Sequence, residues 1–409
     1  MILFLTLLAL LGHAFFWIGV DNRIHACGWR RWIIARSATA CAVVAVITPP
    51  AVAYVYWGNY ARLVEIVKFP ADRGWAETLF AAYIVFCWIV APLPLARLAV
   101  VRYQLRMPSV VRYHGRRRAA IDPHAVEFGV EETAHHFLTR LPRNEILRLD
   151  VVDWTLDVPR LPPALDGLSI LHLSDTHFTG PVGKAYFREV ARVANELTPD
   201  LMFLTGDLVD EAACIDWIPD TLGRLRAKHG VFFILGNHDL HTGDPPKLRR
   251  LLEQCGLVDL GGRRRRIEID GCPILLAGTE RPWIAEPEQP DDEDEKSCRV
   301  ENERRPFRIM LSHTPDQLAW AKSLDADLFL AGHTHGGQIR IPPLGAIFSP
   351  SFWGIKYIAG VFHAPPTIMH VTRGISSDIP LRWLCPPEIV MLKLRSIEED
   401  RSASHGYRR

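Results

Sequence analysis

Five short stretches place carboxylate, amide and imidazole groups where they could act together. They are Asp175-Thr-His177, Gly206-Asp207-Leu-Val-Asp210, Gly236-Asn237-His238-Asp239, Ser312-His313 and Gly332-His333-Thr-His335. Oxygen and imidazole donors without a thiolate suit manganese, iron or zinc in a reactive centre better than a structural zinc site. In extended chain, residues i and i+2 point the same way. Asp175 and His177 could therefore grip one ion, and His333 and His335 could face one cluster. A carboxylate such as Asp207 could bridge two cations, and the neighbouring glycines would let backbone approach without a Cβ clash. A lone Asp-x-His arises often by chance, whereas five such stretches in series, each closing an apolar run, do not.

The elements that must position these groups can be read from the runs before them. "LSILHLSD", "DLMFLTGD" and "VFFILGNHD" are short, almost wholly apolar runs that end in charge, as strands buried on both faces do. Between them, Lys184 to Leu197 repeats apolar residues at helical spacing, and Trp217 to Ala227 reads as a second helix. The β-α-β-α-β rhythm predicts a largely parallel sheet with covering helices. Lys247–Gln254 adds a short helix, and strands follow at 266–269, 273–277, 307–311, 327–330, 338–341, 367–371 and 388–394. In such sheets ligands gather beyond the carboxyl ends of the strands, which is where all five stretches fall.

The first hundred residues are different. Ile2–Val20, Ser37–Trp57 and Thr78–Ala96 are apolar runs of the length that crosses a hydrocarbon core as a helix, about 20 residues. This predicts a membrane domain over residues 1–100 with three transmembrane helices, a basic juxtamembrane connector over 101–143, a catalytic domain over 144–395 and a charged tail over 396–409. Residues 286–305, with "EPEQPDDEDEK" and "ENERR", read as an acidic mobile loop within the catalytic domain. Arginines at 23, 30, 31 and 36 in the first loop, and those from Arg97 to Arg118, place the catalytic domain in the cytoplasm by the positive-inside rule.

The net charge of +1 conceals a split. Residues 1–120 hold 14 Lys/Arg against 4 Asp/Glu, and the remainder 33 against 42. A basic collar beside an acidic domain suits contact with anionic membrane lipids and argues against a nucleic-acid partner. The eight cysteines form no CxxC pair, which fits a reducing compartment. "PSFWGIKY", residues 350–357, follows the last stretch closely and reads equally as an aromatic wall or as core.

Taken together, SDTH, GDLVD, GNHD, SHTPD and GHTHGGQ resemble the five signature blocks of the calcineurin-like metallophosphoesterases, over about residues 146–394. The likeness is closest to a membrane-anchored bacterial branch, which continues GHTHGGQ with "IRIPPLG" and ends in "RG…PLR…PPEIVML". The resemblance implies an α/β fold: an α/β/β/α sandwich of two mixed sheets flanked by helices, here preceded by an N-terminal transmembrane helical anchor. It implies two divalent metal ions, with manganese, iron or zinc as candidates. Carried onto this chain, Asp175, His177, Asp207 and His335 would hold one ion, and the bridging Asp207 with Asn237, His313 and His333 the other. His238, not itself a ligand, would protonate the leaving oxygen, oriented by Asp210. One departure stands at Ile375-Ser-Ser-Asp378, where the branch keeps small residues.

The activity so implied is hydrolysis of a phosphodiester or pyrophosphate at an inner or plasma membrane. The substrate would be a lipid or lipid-linked phosphate, such as a UDP-acylated sugar, or else a soluble cyclic nucleotide. The reading from another class is a non-catalytic metal- or phosphate-binding membrane sensor or scaffold. Its signature would be erosion of the donor set, yet every implied ligand is present.

Overall fold

The computed structural model describes residues 2–55, 74–93, 96, 108–121, 136–285, 305–342 and 344–397. Most of the second inter-helix loop, residues 122–135 of the expected connector, the acidic segment 286–304 and the tail from 398 lie outside the described residues. The chain divides into two compact units: residues 1–106 with 347–356, and 107–346 with 357–409.

Among the described residues the first unit holds three helices: α1 (Ile2–Ala26), α2 (Arg31–Val55) and α3 (Trp75–Val90). Two are long and apolar enough to cross a membrane, with mean hydropathy 2.1 over residues 3–26 and 1.8 over 31–55. The third is a shorter apolar helix of 16 residues, about 24 Å at the usual helical rise. Two of the three expected spans therefore reach full length among the described residues. Close packing of α1 on α3 is set at Gly12, where a Cβ would lie 1.8 Å from the Cys87 carbonyl oxygen. The buried His13 is satisfied on both ring nitrogens, by Tyr83 Oη at 2.6 Å and the Ala45 carbonyl at 3.0 Å. Residues 347–356 belong to this unit: the Ser349 amide donates to Asn22 Oδ1 at 2.9 Å, and Phe348 meets the His25 ring. Most of the stretch read as a cleft wall or core is thus part of the helical unit.

The second unit holds β1 (Val111–Arg118), β2 (Asp150–Val158), β3 (Ser169–Leu173), β4 (Leu201–Thr205), β5 (Val231–Ile234), β6 (Val258–Asp259), β7 (Arg264–Ile269) and β8 (Cys272–Thr279). They are followed by β9 (Phe307–Ser312), β10 (Leu328–Ala331), β11 (Arg340–Ile341), β12 (Gly345–Ala346), β13 (Gly360–Ala364), β14 (Thr367–Val371) and β15 (Glu388–Ser396). One sheet runs β1-β2-β15-β3-β4-β5-β6 and the other β13-β14-β10-β9-β8-β7, with β11-β12 a small separate hairpin. Both large sheets are mixed: β3 to β6 and β8-β9-β10-β14 are parallel cores with antiparallel strands at the margins.

Alternation explains why the central strands are apolar throughout. Ile170, Phe203 and Phe232 face the second sheet and meet Ile274, Ile309, Leu328 and Ile368 there. Their neighbours Leu171, Met202, Leu204 and Phe233 face the other way, onto α4 (Lys184–Glu196) and α5 (Pro245–Gln254). On the far side, Met310, Phe329 and Met369 pack against α6 (Leu318–Ser323). The result is the expected four-layer sandwich.

Two sequence expectations differ locally. Trp217–Ala227 is no α-helix but two 3₁₀ segments, Ala212–Asp220 and Leu222–Arg224, because Pro219 removes a donor and Thr221 breaks the run at φ −124°, ψ −96°. Residues 111–118, read as connector, form the edge strand β1, paired antiparallel to β2. Their arginines lie against aspartates of β2: Arg112 on Asp157, Arg116 on Asp150, and Arg117 on Asp153 at 3.1 Å. These arginines of the basic collar are therefore used within the sheet.

Candidate metal centre

Each predicted donor leaves the carboxyl end of a strand: Asp175 and His177 after β3, Asp207 and Asp210 after β4, Asn237 and His238 after β5, His313 after β9, His333 and His335 after β10. The i, i+2 pairs do not arise from extended chain, as expected from the sequence. Asp175, His177, Asp207, His333 and His335 all stand in the left-handed region, with φ of 54°, 42°, 52°, 71° and 50°. The loops brace one another instead: the Asp175 amide donates to the Gly206 carbonyl at 2.9 Å and the His177 amide to the Asp207 carbonyl at 3.0 Å. The His333 amide reaches Asp175 Oδ1 at 3.1 Å, and the His238 amide reaches Asp207 Oδ1 at 2.8 Å. Asp239 accepts the amides of Leu208, Val209 and Gly236, tying the β4 and β5 loops together. Gly236 has to be glycine, since a Cβ there would sit 2.2 Å from Asp207 Oδ1.

The donors form two groups that share Asp207. One ligand atom each of Asp175, His177, Asp207 and His335 lie within 4.8 Å of one another, and so do those of Asp207, His313 and His333. Asp207 Oδ2 stands 3.6 Å from His177 Nε2 and 3.0 Å from His313 Nε2, the place of a bridging ligand. Asn237 Oδ1, Asp207 Oδ2 and His333 Nε2 are buried with no hydrogen-bond partner.

The histidine contacts make the same point. His177 Nδ1 donates to Asp210 at 2.9 Å, and His335 Nδ1 lies 3.2 Å from the Ser376 carbonyl and 3.1 Å from Arg382 Nη2. The two Nε2 atoms face each other at 3.2 Å, an approach that needs a cation between them, a proton or a metal ion. Likewise His313 Nδ1 donates to the Thr205 carbonyl at 2.7 Å, and its Nε2 lies 3.1 Å from His333 Nδ1 and 3.0 Å from Asp207 Oδ2. Ligating histidines usually donate their other nitrogen to such a fixed oxygen. Burial and neighbouring histidines hold His333 and His335 well below the usual imidazole pKa, the neutral state that ligation needs. The residues fit divalent cations.

His238 stands apart from these two groups, its Nδ1 held by Asp210 Oδ2 at 2.9 Å. Burial opposes its charge, but Asp207 and Asp210 outweigh it and push the pKa up to about 10. Burial would raise Asp210, but His177 and His238 outweigh it and hold the carboxyl far below its ordinary range. One carboxylate thus orients both a ligand histidine and the His238 ring.

Sequence reading missed several supports. The carbonyls of Ser376 and Thr205 orient two histidines, and a carbonyl has no residue signature. The fully buried Arg382 donates to the carbonyls of His335 and Arg373 at 3.0 and 2.7 Å and also reaches that of Ser376. Its only advance sign was the "PLR" near the end of the domain. Trp283 lies against His333 and His313, with ring centroids 4.8 and 5.6 Å away, on a loop that carries no donor motif.

Comparison with known proteins agrees with this geometry. Residues 168–337 match the family model described as calcineurin-like phosphoesterase. An uncharacterized metallophosphoesterase of Bacillus subtilis, YkuE, is 30% identical over 261 residues, covering 61% of this chain and 86% of that one. Phosphodiesterase YaeI of Escherichia coli is 30% identical over 229 residues, 55% of this chain and 81% of that one. UDP-2,3-diacylglucosamine pyrophosphatase LpxG of Chlamydia muridarum is 23% identical over 298 residues, 61% and 89%. With its donor set, its sandwich and these relatives, the chain belongs to the calcineurin-like metallophosphoesterases, metal-dependent hydrolases of phosphoric esters.

Proposed function

We infer that this is a membrane-anchored, two-metal phosphoesterase that cleaves a phosphodiester or pyrophosphate of a lipid or lipid-linked substrate on the cytoplasmic side. The observation that carries the reading is the pair of donor groups sharing Asp207, with the Asp210–His238 pair beside them. Asp175, His177, Asp207 and His335 would hold one divalent ion, and Asp207, Asn237, His313 and His333 the other. Bound there, the ions would lower the pKa of water and neutralise charge developing on the phosphoryl oxygens. His238 is fixed through Nδ1, so its Nε2–H is the proton offered to the departing oxygen. Asp210 keeps that ring charged and aimed.

The two long apolar helices support the anchor, and the names of the relatives support the phosphodiester and pyrophosphate classes. With α3 as a third crossing, Arg30 in the first loop and Arg31 and Arg36 at the start of α2 support the cytoplasmic side for the phosphoesterase unit. The test is hydrolysis of a small aryl phosphodiester, an acylated glycerophosphodiester and a UDP-acylated sugar by purified full chain. It is run after chelation and after reloading with manganese, iron or zinc. Activity restored by metal is expected. Failure of every metal-loaded form on every ester would overturn the reading.

A further inference from the structure

Two further strained residues line an open pocket of about 550 Å³ at a second place. Arg143 has φ +65° and Leu384 φ +53°. A bulky side chain adopts this conformation only when its surroundings impose it, and it clusters at ligand clamps. Leu384 is 49% exposed and its neighbour Trp383 39%, so burial of these side chains does not explain the strain. With Pro342 they give the pocket an apolar wall. Arg143, Glu145 and Arg148 also line it. Glu145 is paired with Arg148 at 2.6 Å, whereas Arg143 makes no ion pair or side-chain hydrogen bond among the described residues. The pocket therefore offers apolar side chains together with one uncommitted cation.

This pocket is built into the metal-centre loops. The Trp383 amide donates to the Gln338 carbonyl at 3.1 Å, and the Trp383 carbonyl accepts from the Arg340 amide at 3.0 Å. Arg382, next in the chain, supports His335 as described. Asn144 ties the same segment down through the Pro380 carbonyl and the Arg382 amide, at 2.8 and 2.9 Å.

We propose that the pocket is the subsite for the acyl part of the substrate, holding an alkyl chain on Trp383, Leu384 and Pro342 and an anionic group at Arg143. This rests on the phosphoesterase reading and narrows it to acylated, anionic amphiphiles.

The strain supplies a favourable test, because glycine adopts both backbone conformations freely. Leu384→Gly and Arg143→Gly should fold at least as well as the native chain, while losing the apolar contact or the charge. The full chain in nanodiscs is first titrated, metal-free, with butyl, hexyl and octyl phosphate, inorganic phosphate and octyl glucoside, against empty nanodiscs. The dissociation constant should fall about two- to four-fold per methylene, the lower figure for a half-buried chain. Octyl glucoside and inorganic phosphate should bind at least ten-fold more weakly than octyl phosphate. Leu384→Gly should flatten the chain-length slope, and Arg143→Gly should weaken the whole series while keeping the slope.

With metal restored, kcat/KM on glycerophosphodiesters of rising acyl length should climb in parallel, and Leu384→Gly should flatten that climb too. A binding slope without a kcat/KM slope would mean a pocket for bulk membrane lipid, and would overturn the substrate subsite. A flat binding series, or slopes unchanged in Leu384→Gly, would overturn the pocket altogether. Loss of all hydrolysis with the binding slope intact would sink the phosphoesterase reading and leave the amphiphile pocket standing.

Discussion

Asp210 is the position where a one-atom change should reveal how the centre is wired. Its carboxylate accepts from His177 Nδ1, at 2.9 Å on Oδ1 and 3.1 Å on Oδ2, and from His238 Nδ1, at 2.9 Å on Oδ2. An asparagine there offers one oxygen and one amino group. If the oxygen takes the Oδ2 place to keep His238, the amino group faces the His177 N–H at bonding distance, donor against donor. If it takes the Oδ1 place, His238 loses its acceptor. One ring must turn either way. A hydrogen bond to a charged group contributes about 1.5–3 kcal/mol, so the displaced ring costs about 10- to 150-fold in the property it serves. Loss at His177 should appear as metal affinity falling about 10- to 100-fold, the usual effect of removing a partner that orients a ligand. Loss at His238 should appear in turnover instead.

The comparison variant is His238→Ala, which leaves the acceptor of His177 in place. It should retain metal affinity and lose about 10²- to 10⁴-fold in turnover of alkyl phosphodiesters, and less for aryl esters whose leaving group needs no proton. Asp210→Asn made on top of His238→Ala should leave metal affinity and turnover at saturating metal nearly unchanged, since the asparagine oxygen is then free to serve His177 and the acid it would otherwise position is gone. Metal titration by equilibrium dialysis, with initial rates on matched aryl and alkyl diesters, separates the two properties. If Asp210→Asn kept native metal affinity and native turnover of alkyl esters together, the shared-acceptor account would be wrong.

Three other outcomes are expected. Chelation should speed amide hydrogen exchange at residues 174–178, 206–210 and 332–338 while β3, β4 and β10 stay protected; unchanged exchange in those loops would deny that cations hold them together. Glu388→Gln should cost about 1.5–3 kcal/mol in denaturant unfolding, because the buried Arg373 guanidinium loses the carboxylate 2.7 Å away and keeps only Asp150, at 3.7 Å. His172 and His370 meet at 2.8 Å between the sheets, and burial holds His172 well below its usual pKa and His370 down to about 4. Both are neutral when folded but take protons when unfolded, so their contribution is present above about pH 6.5 and lost as pH falls from there toward the folded values. His370→Asn should make the fall in melting temperature of the metal-free chain over that window shallower, and an unchanged slope would assign acid sensitivity elsewhere.

The donors were legible in the sequence because two constraints coincide on them. A strand buried on both faces must be apolar along its length, as Leu201–Thr205 is, so the first polar residues after it mark the strand end. A metal centre needs particular donor atoms, so their identity marks the site. Where either constraint is absent, the sequence is silent. Val111–Arg118 is an edge strand with an exposed face, and its arginines acquire meaning only from aspartates about 40 residues later. The turn of Ala212–Asp220 into 3₁₀ form depends on one proline inside an otherwise helical pattern. Thr205 and Ser376 act through carbonyl oxygens that any residue would supply. Trp283 is placed by its loop, and no spacing rule connects it to His333.

The left-handed ligands show why sequence logic reached the right residues by an incomplete route. Alternation in extended chain gives i and i+2 a common side but spaces them about 6.5 Å apart. At φ of 54° and 42°, the chain through Asp175 and His177 coils instead, and their donor atoms come to 3.9 Å. Each such residue costs on the order of 1 kcal/mol or more. No single loop recovers that cost, because the amides that fix one loop end on the next: His177 on the Asp207 carbonyl, His333 on Asp175, His238 on Asp207. The strain and its support are therefore cooperative across loops that are distant in the chain. Ligand geometry is a property of the assembled sandwich, which is why donor identity could be read one stretch at a time and the bite of each pair could not.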